Sequence, residues 1–351
     1  MGEEAGVQFG IFDQNDLGAV DLTAHYESRL KLAAFYDQAG FDRYHCSEHH
    51  ATPLSTTPAT GAWLSAVAQR TKRIRLGPLV YILPMRNPLQ VAEEVCLLDH
   101  LSNGRFELGV GRGVSPFELG YHGVEAAESP EMLKEALAIL MQALTQDVVD
   151  YEGRFWQCRK VPVVLKPKQL PHPPLWMPCA TLEHAERAAA NGAATVGNGP
   201  TARVAEIVAR YKACWTKPAP LPPVGLSRAM VIAETAEEAQ AIAKRAWRTH
   251  AIHFLKLWRE HGAAPINARM SEDFADAEAA GLAFAGTPAS IRDRLIAQVQ
   301  ETGVNYVVAR FAFGDQSHDE MLRSASLFAR EVMPALREVS PEERSHGLSA
   351  A

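Results

Sequence analysis

The sequence predicts an α/β protein, a (β/α)8 TIM barrel with insertions after strands 4 and 7, and three observations lead there. Short β-rich runs alternate with longer amphipathic stretches along the chain. Sustained strand–helix alternation implies a parallel sheet. The runs number eight, and eight units in 351 residues favour closure into a barrel over an open sheet. Residues 1–338 therefore read as one barrel domain and 339–351 as a disordered tail.

In chain order, Val7 to Phe12 reads as the first strand, and Leu22 to Gln38 as a helix closed by Gly40. Arg43 to Ser47 is the second strand and Thr60 to Arg70 the second helix. Ile74 to Leu83 reads as one long strand, followed by a helix from Pro88 to Leu101, with proline suited to its first turn. Phe106 to Val110 is the fourth strand, and a helix from Glu131 to Leu144 follows. Leu175 to Ala180, Ala194 to Gly197, Arg228 to Ala233 and Tyr306 to Phe313 complete the set. Two intervals break the rhythm. Residues 148–174 are too rich in proline for a helix and read as a β-excursion on the barrel rim. Residues 261–286 are polar and weakly patterned, either a surface loop or a mobile lid over the active site.

Composition narrows the function classes. The net charge of −6 gives no basic face for nucleic acid. Five scattered cysteines without a CxxC pair suggest neither a disulfide framework nor a thiolate zinc site. No apolar run approaches the roughly 20 residues of a membrane span. The acidic opening MGEEAGVQFG lacks the pattern of a secretory signal, so a cytoplasmic location is expected.

Active sites of such barrels lie at the C-terminal ends of the strands. The second strand runs into HCSEHH, where alternation puts His45 inside the strand and His49 and His50 at the mouth. His45 reads as a structural histidine and His49 as a general base or hydrogen-bond donor. A metal site is the weaker reading, because these histidines come from one strand end without paired HxH or HExxH spacing. The fourth strand enters GVGRGVSPFELG, in which Gly111 and Gly113 allow close backbone approach and Arg112 offers a fork for a phosphate. Ser115 before Pro116 reads as a helix N-cap whose free amides also favour an anion. A tight glycine turn with a surface arginine would look the same. The fifth strand ends in MPCATLEH, where Cys179 reads as a small buried residue, while Ala180 and Thr181 form a turn that caps a helix or meets a phosphate. Lys72, Arg73 and Arg75 read as a solvated edge, and Trp247, Phe254, Leu255 and Trp258 as core or dimer surface at helical spacing.

The run SEHHATPLSTTP, the block RIRLGPLVYILPMRNPLQVAEEVCLLDHLSNGRFELGVGRGVSPFE and the C-terminal GTPASIRDRL, TGVNYVVARFAFG and FAREVMPAL resemble the luciferase-like monooxygenase superfamily. The likeness runs in order from Val7 to Leu336. It implies reduced FMN at the strand ends and oxygenation of a small organic substrate by O2 through a peroxyflavin; no second domain for NAD(P)H oxidation is visible in the sequence, so a separate flavin reductase is expected to supply the reduced FMN. His49 matches the catalytic histidine, and Arg112 the arginine on the flavin phosphate. Thr181, with Cys179 and Ala180, lies in the second phosphate turn, and Ser115 and the glycines around Arg112 complete the cofactor set. Leu79 and Val80 match the segment backing the flavin ring, where the family can carry a non-proline cis peptide. His50, Phe12, Tyr81 and Met85 would shape the substrate pocket. Gly111 replaces the reactive cysteine of luciferases, and Pro130 falls near a further phosphate-binding arginine, so a non-luminous relative is implied. Hydride transfer with F420 and a flavin-binding protein without turnover are the alternatives, and a homodimer is the family expectation.

Overall fold

The computed structural model describes residues 6–218, 220–265 and 270–339. The expected tail, apart from Val339, lies outside the described residues, as does the 266–269 stretch of the expected lid.

Eight strands form the barrel: β1 (Gln8–Asp13), β2 (Arg43–Cys46), β3 (Arg75–Pro78), β4 (Leu108–Gly111), β5 (Leu175–Trp176), β6 (Thr195–Gly197), β7 (Val224–Ile232) and β8 (Tyr306–Arg310). Every pairing is parallel: β1 lies between β8 and β2, β2 on β3, β4 on β5, and β7 between β6 and β8. Bridges Leu76–Phe106 and Trp176–Ala194 join β3 to β4 and β5 to β6, which closes the ring. A closed ring leaves no open sheet edge. Helices α1 (Leu22–Gln38), α2 (Thr60–Arg70), α3 (Pro88–Leu101), α4 (Pro116–Tyr121), α5 (Ser129–Thr145), α6 (Leu182–Ala190), α7 (Thr201–Cys214), α8 (Ala236–Glu260), α9 (Phe274–Ala279), α10 (Pro288–Thr302) and α11 (His318–Leu327) surround it.

Alternation divides the strand residues between two cores. Phe9, Ile11, Tyr44, Leu76, Leu108, Val307 and Ala309 face the helices and join the large outer core. Trp176, Ala194, Val196, Tyr306 and Val308 fill the interior, with Phe12 and Leu79 above them. Gly10 makes room for this filling, because a Cβ there would stand 1.6 Å from the Tyr306 hydroxyl oxygen. At the N-terminal end the interior is polar. Glu107, nearly fully buried, accepts from Trp176 Nε1 at 2.6 Å, Arg43 Nε at 3.1 Å and Arg75 Nε, while Arg43 stacks its guanidinium over the Trp176 and Tyr306 rings. Burial alone would raise the Glu107 carboxyl, but Arg43, Arg75 and His45 hold it below the ordinary value. Arg75 thus plugs the barrel floor instead of lying on a solvated edge.

The fifth and eighth strands end early, at Trp176 and Arg310, and three larger departures shape the barrel. The long third strand divides: its ladder with β2 ends at Pro78, a cis peptide joins Leu79 to Val80, and Tyr81–Ile82 continues as a short strand on β4. β7 starts at Val224, four residues before the expected Arg228, because its first half pairs with β6 and β8. The second half of β7 pairs in parallel with Ala283–Gly286, an extra, fully buried strand preceded by α9. The end of the 261–286 interval is therefore sheet. Its alanines lack the β-branched signature, and α9 is only six residues long. Residues 148–174 hold the expected β-excursion, an antiparallel hairpin of Val148–Glu152 and Gln157–Pro162.

Candidate functional site

His49 follows the C-terminal end of β2. Its Nδ1 lies 3.2 Å from Glu118 Oε1, and the other carboxylate oxygen of Glu118 accepts from the His50 amide at 2.8 Å. Glu118 is buried in the first turn of α4, which Ser115 caps by accepting from the Glu118 amide at 3.3 Å. With Nδ1 donating to the carboxylate, Nε2 of His49 is left without a partner among the described residues. Burial pulls the imidazole pKa down. The hydrogen bond and charge of Glu118, with the charges of Glu48 and Asp16, outweigh this and raise it above the ordinary value.

The loop is fixed from beneath by Glu48. This buried carboxylate accepts from His50 Nε2 at 3.0 Å, from Arg86 Nε at 3.1 Å and from the Ile82 amide at 3.1 Å. One side chain therefore ties the end of β2 to the segment after Leu79 and Val80. His50 faces Glu48, with its ring against His122 at 4.5 Å between centroids. His45 lies in the interior, its Nε2 2.9 Å from the Tyr306 hydroxyl, and burial lowers its pKa to about 4. It is a neutral structural histidine, as its place within the strand predicts.

Arg112, at the end of β4, is half-buried and makes no hydrogen bond or ion pair among the described residues. Close to it is the N-terminus of α6, where Thr181 caps by accepting from the His184 amide at 3.2 Å. His184 is held below its ordinary pKa by burial first, then by the positive charges of Arg187 and Arg112. An unpaired guanidinium, free helix amides and a histidine that feels the positive charge of both Arg187 and Arg112 mark a place for an anion. Ala180 is exposed in the same turn. The Cys179 thiol is buried, accepts from the Thr195 hydroxyl, and is pushed up to about 11 by burial, so it is no nucleophile.

Between these two groups in ring order lie the half-buried Leu79 and Val80, and the half-buried Phe12 stands near the end of β1. Gly111 packs so closely that a Cβ on it would stand 2.6 Å from a Val80 methyl, and Gly113 adopts φ +82° in the turn that follows. The structure thus brings His49, Phe12, Leu79, Val80, Gly111, Arg112, Gly113 and Thr181 to one end of the barrel. Two expected pocket residues stay apart. Tyr81 is fully buried, its hydroxyl donating to Glu94 Oε1 at 2.6 Å on α3, because the residue after Val80 turns to the helix side. Met85 packs in a separate cluster with Ile82, Leu119 and Val124.

Several residues of the site escape the motif reading. Glu118 stands in a Ser-x-x-Glu spacing, which signals a helix start and says nothing of a histidine partner. Asp16, fully buried after β1, accepts from His250 Nδ1 at 2.6 Å and the Gly314 amide at 2.8 Å, and lies 3.5 Å from His253 Nδ1. Burial opposes its charge, but His250, His253 and the amide hold its carboxyl far below the ordinary range. The end of α8 also covers α4, since Phe117 stacks on His261 at 4.2 Å and meets Trp258 at 5.1 Å. Among the described residues no cluster of histidine, cysteine or carboxylate side chains suits a metal ion, and no helix is long and apolar enough to cross a membrane.

The chain is 38% identical over 334 residues to the uncharacterized protein y4wF of Sinorhizobium fredii, covering 93% of this chain and 96% of that one. It is 25% identical over 342 residues to the oxygenase component of the flavin-dependent trigonelline monooxygenase of Acinetobacter baylyi, covering 93% and 94%. Among solved structures, monooxygenase RslO1 from Streptomyces bottropensis superposes with a TM-score of 0.79 at 25% identity, over 93% of this chain and 99% of that one. The same fold is shared with the oxygenating constituent of 3,6-diketocamphane monooxygenase from Pseudomonas putida in complex with FMN (TM-score 0.75, 18% identity, 94% and 98% covered). It is also shared with the F420-dependent tetrahydromethanopterin reductase of Methanopyrus kandleri (0.69, 21%, 95% and 100%). Residues 7–306 match the luciferase-like monooxygenases over most of the barrel, including both ends of the mouth where His49 and Arg112 stand, and the chain belongs to that family.

Proposed function

We propose that this protein is the oxygenase component of a two-component monooxygenase, which uses reduced FMN from a separate reductase and O2 to oxygenate a small organic substrate. The observation that carries the reading is one arrangement at the barrel mouth. The unpaired Arg112 beside the N-terminus of α6 stands on one side, and His49, with a free Nε2 and a carboxylate on Nδ1, on another. The residues fit the cofactor. Arg112, Thr181 and the first amides of α6 would hold the phosphate, while Leu79, Val80, Gly111 and Gly113 would line the ring. When bound, reduced flavin supplies the electrons that activate O2.

The chain's own work is placement, exclusion of water and proton control. Glu118 fixes the His49 tautomer so that Nε2 can hold a proton or release it toward the mouth. The contacts of Phe117 with Trp258 and His261 pack the end of α8 against α4. An anaerobic titration with reduced FMN and with reduced F420, followed by mixing with oxygenated buffer, tests the proposal. Tight binding of reduced FMN, with reoxidation kinetics distinct from free flavin, is expected. Preference for reduced F420 would replace the reading with hydride transfer, and reoxidation indistinguishable from free flavin would reduce the protein to a passive carrier.

A further inference from the structure

Arg310 ends β8, the last barrel strand. Tyr306 and Val308 of that strand face the interior, so alternation sends Arg310 the same way, into the top layer. Only 6% exposed, it makes no hydrogen bond or ion pair among the described residues, and its Nε is buried without a partner. Burial lowers the guanidinium to about 10, against a smaller opposing effect of Asp16, so Arg310 stays cationic at neutral pH. Asp16 forms no ion pair with it: its Oδ2 accepts from His250 and the Gly314 amide, and its Oδ1, 3.5 Å from His253 Nδ1, has no hydrogen-bond partner among the described residues. A buried, unpaired cation is costly in a folded protein unless something completes it.

Other unpartnered polar atoms near the strand ends bear on what would. Ser227 pairs with the inward-facing Val308, and its hydroxyl, like that of Ser47, is buried without a partner. Both polar atoms of the Asn15 side chain are in the same condition. Phe12 stands one residue past the last paired position of β1 on β8 and lies over the apolar interior with Leu79. The mouth therefore offers a cationic fork on β8, an unpartnered hydroxyl on β7 two residues before the position in register with it, and an apolar floor. The fork lies at β8 and β1, across the eight-stranded ring from the β4 and β5 ends where Arg112 and Thr181 stand. A phosphate held there leaves Arg310 free.

We infer that Arg310 anchors a carboxylate of the substrate, so that the protein acts on small organic acids whose apolar body rests on Phe12. The inference rests on reading the barrel mouth as a substrate site, and it deepens that reading by naming the class. Guanidinium and carboxylate match as a fork on two oxygens, which a neutral amide cannot reproduce.

The test uses benzoate and benzamide as probes, titrated calorimetrically into the full chain with and without reduced FMN, in wild type, Arg310→Met, Arg310→Lys and Ser227→Asp. Wild type is expected to prefer benzoate by about tenfold or more, the scale of a charge-assisted contact. Arg310→Met removes the preference and Arg310→Lys keeps part of it. Ser227→Asp supplies an internal carboxylate and lowers benzoate affinity while leaving benzamide unchanged, which preserves the test should Arg310→Met fail to fold. Equal binding of the two probes by wild type, or an unchanged preference in Arg310→Met, overturns the proposal. Loss of reduced-FMN affinity in Arg310→Met without a change in probe preference also overturns it and gives the arginine to the cofactor. A benzoate preference in a protein that does not bind reduced FMN upholds the carboxylate site and sinks the FMN reading.

Discussion

His49 and Glu118 form a pair whose consequences appear as a function of pH. The pair raises the His49 pKa, so the histidine holds its proton to higher pH than a free imidazole, whose pKa is about 6.5. A group raised on folding contributes stability that is fully present below its unfolded pKa and is lost as pH rises through the folded one. Glu118→Gln keeps the shape and removes the charge. It is expected to lower the His49 midpoint in an NMR titration, and its stability deficit should be larger at pH 5.5 than at pH 8.5. An unmoved midpoint would mean that the contact is too weak to tune the histidine. His49→Ala should leave reduced-FMN affinity nearly unchanged and bring reoxidation close to that of free flavin, since the residue lies away from the anion site. Arg112→Ala should do the reverse, weakening reduced FMN by about 10–100-fold, the loss expected of a charge-assisted contact. Anaerobic titration of both variants separates the roles, and equal losses in the two would refute the division of the mouth.

Six residues of helix make α4, and much depends on them. Ser115 caps the helix, Pro116 sets its first turn, and Glu118 carries the carboxylate to His49. Ser115→Ala should cost about 1 kcal/mol in urea denaturation, as cap losses do, and lower the His49 midpoint as well, because a frayed α4 loosens Glu118. Ser115→Asn, which also caps, should restore both. A stability loss without a change at His49 would show that Glu118 is held by its own contacts. This helix also marks how far the sequence could be read. Strands and helices with a clear period are legible, as are the ends of β2 and β4, because buried faces impose the period and glycines mark close approach. Glu118 is not, since its partner is 69 residues away and spacing within a helix start carries no such information. Asp16 and His250, separated by 234 residues, meet only once the ring has closed. Tyr81 departs from expectation for a local reason: one continuous third strand would put it on the inner face with Leu79, but the ladder with β2 ends at Pro78 and Tyr81 starts a separate short strand facing the helices. The Ala283–Gly286 strand was hidden by alanines that pack well in a tight layer but carry little strand preference.

At the scale of the whole molecule, the two ends of the barrel interior do different work. The mouth keeps polar atoms without partners, at Ser47, Ser227, Asn15 and Arg310, whereas at the floor Glu107 gathers Arg43, Arg75 and Trp176 into one paired group. A closed floor beneath an open, polar mouth suits a barrel whose ligands enter from the strand ends. Removing the floor carboxylate tests the division. Glu107→Ala leaves two arginines facing each other with nothing between them, and breaking a buried pair in this way costs about 3–5 kcal/mol. The Glu107 carboxyl is depressed on folding, so its contribution is present above the unfolded value of about 4.3 and disappears as pH falls through the folded one. Urea midpoints should therefore differ most between wild type and variant at neutral pH and converge as acidification protonates the carboxyl in the folded protein. Reduced-FMN affinity, measured where both proteins are folded, should change by less than about threefold, because the floor and the mouth are separated by the aromatic layer of Trp176, His45 and Tyr306. A large loss of affinity with an unchanged urea midpoint would place Glu107 in the working site and undo the separation of floor from mouth.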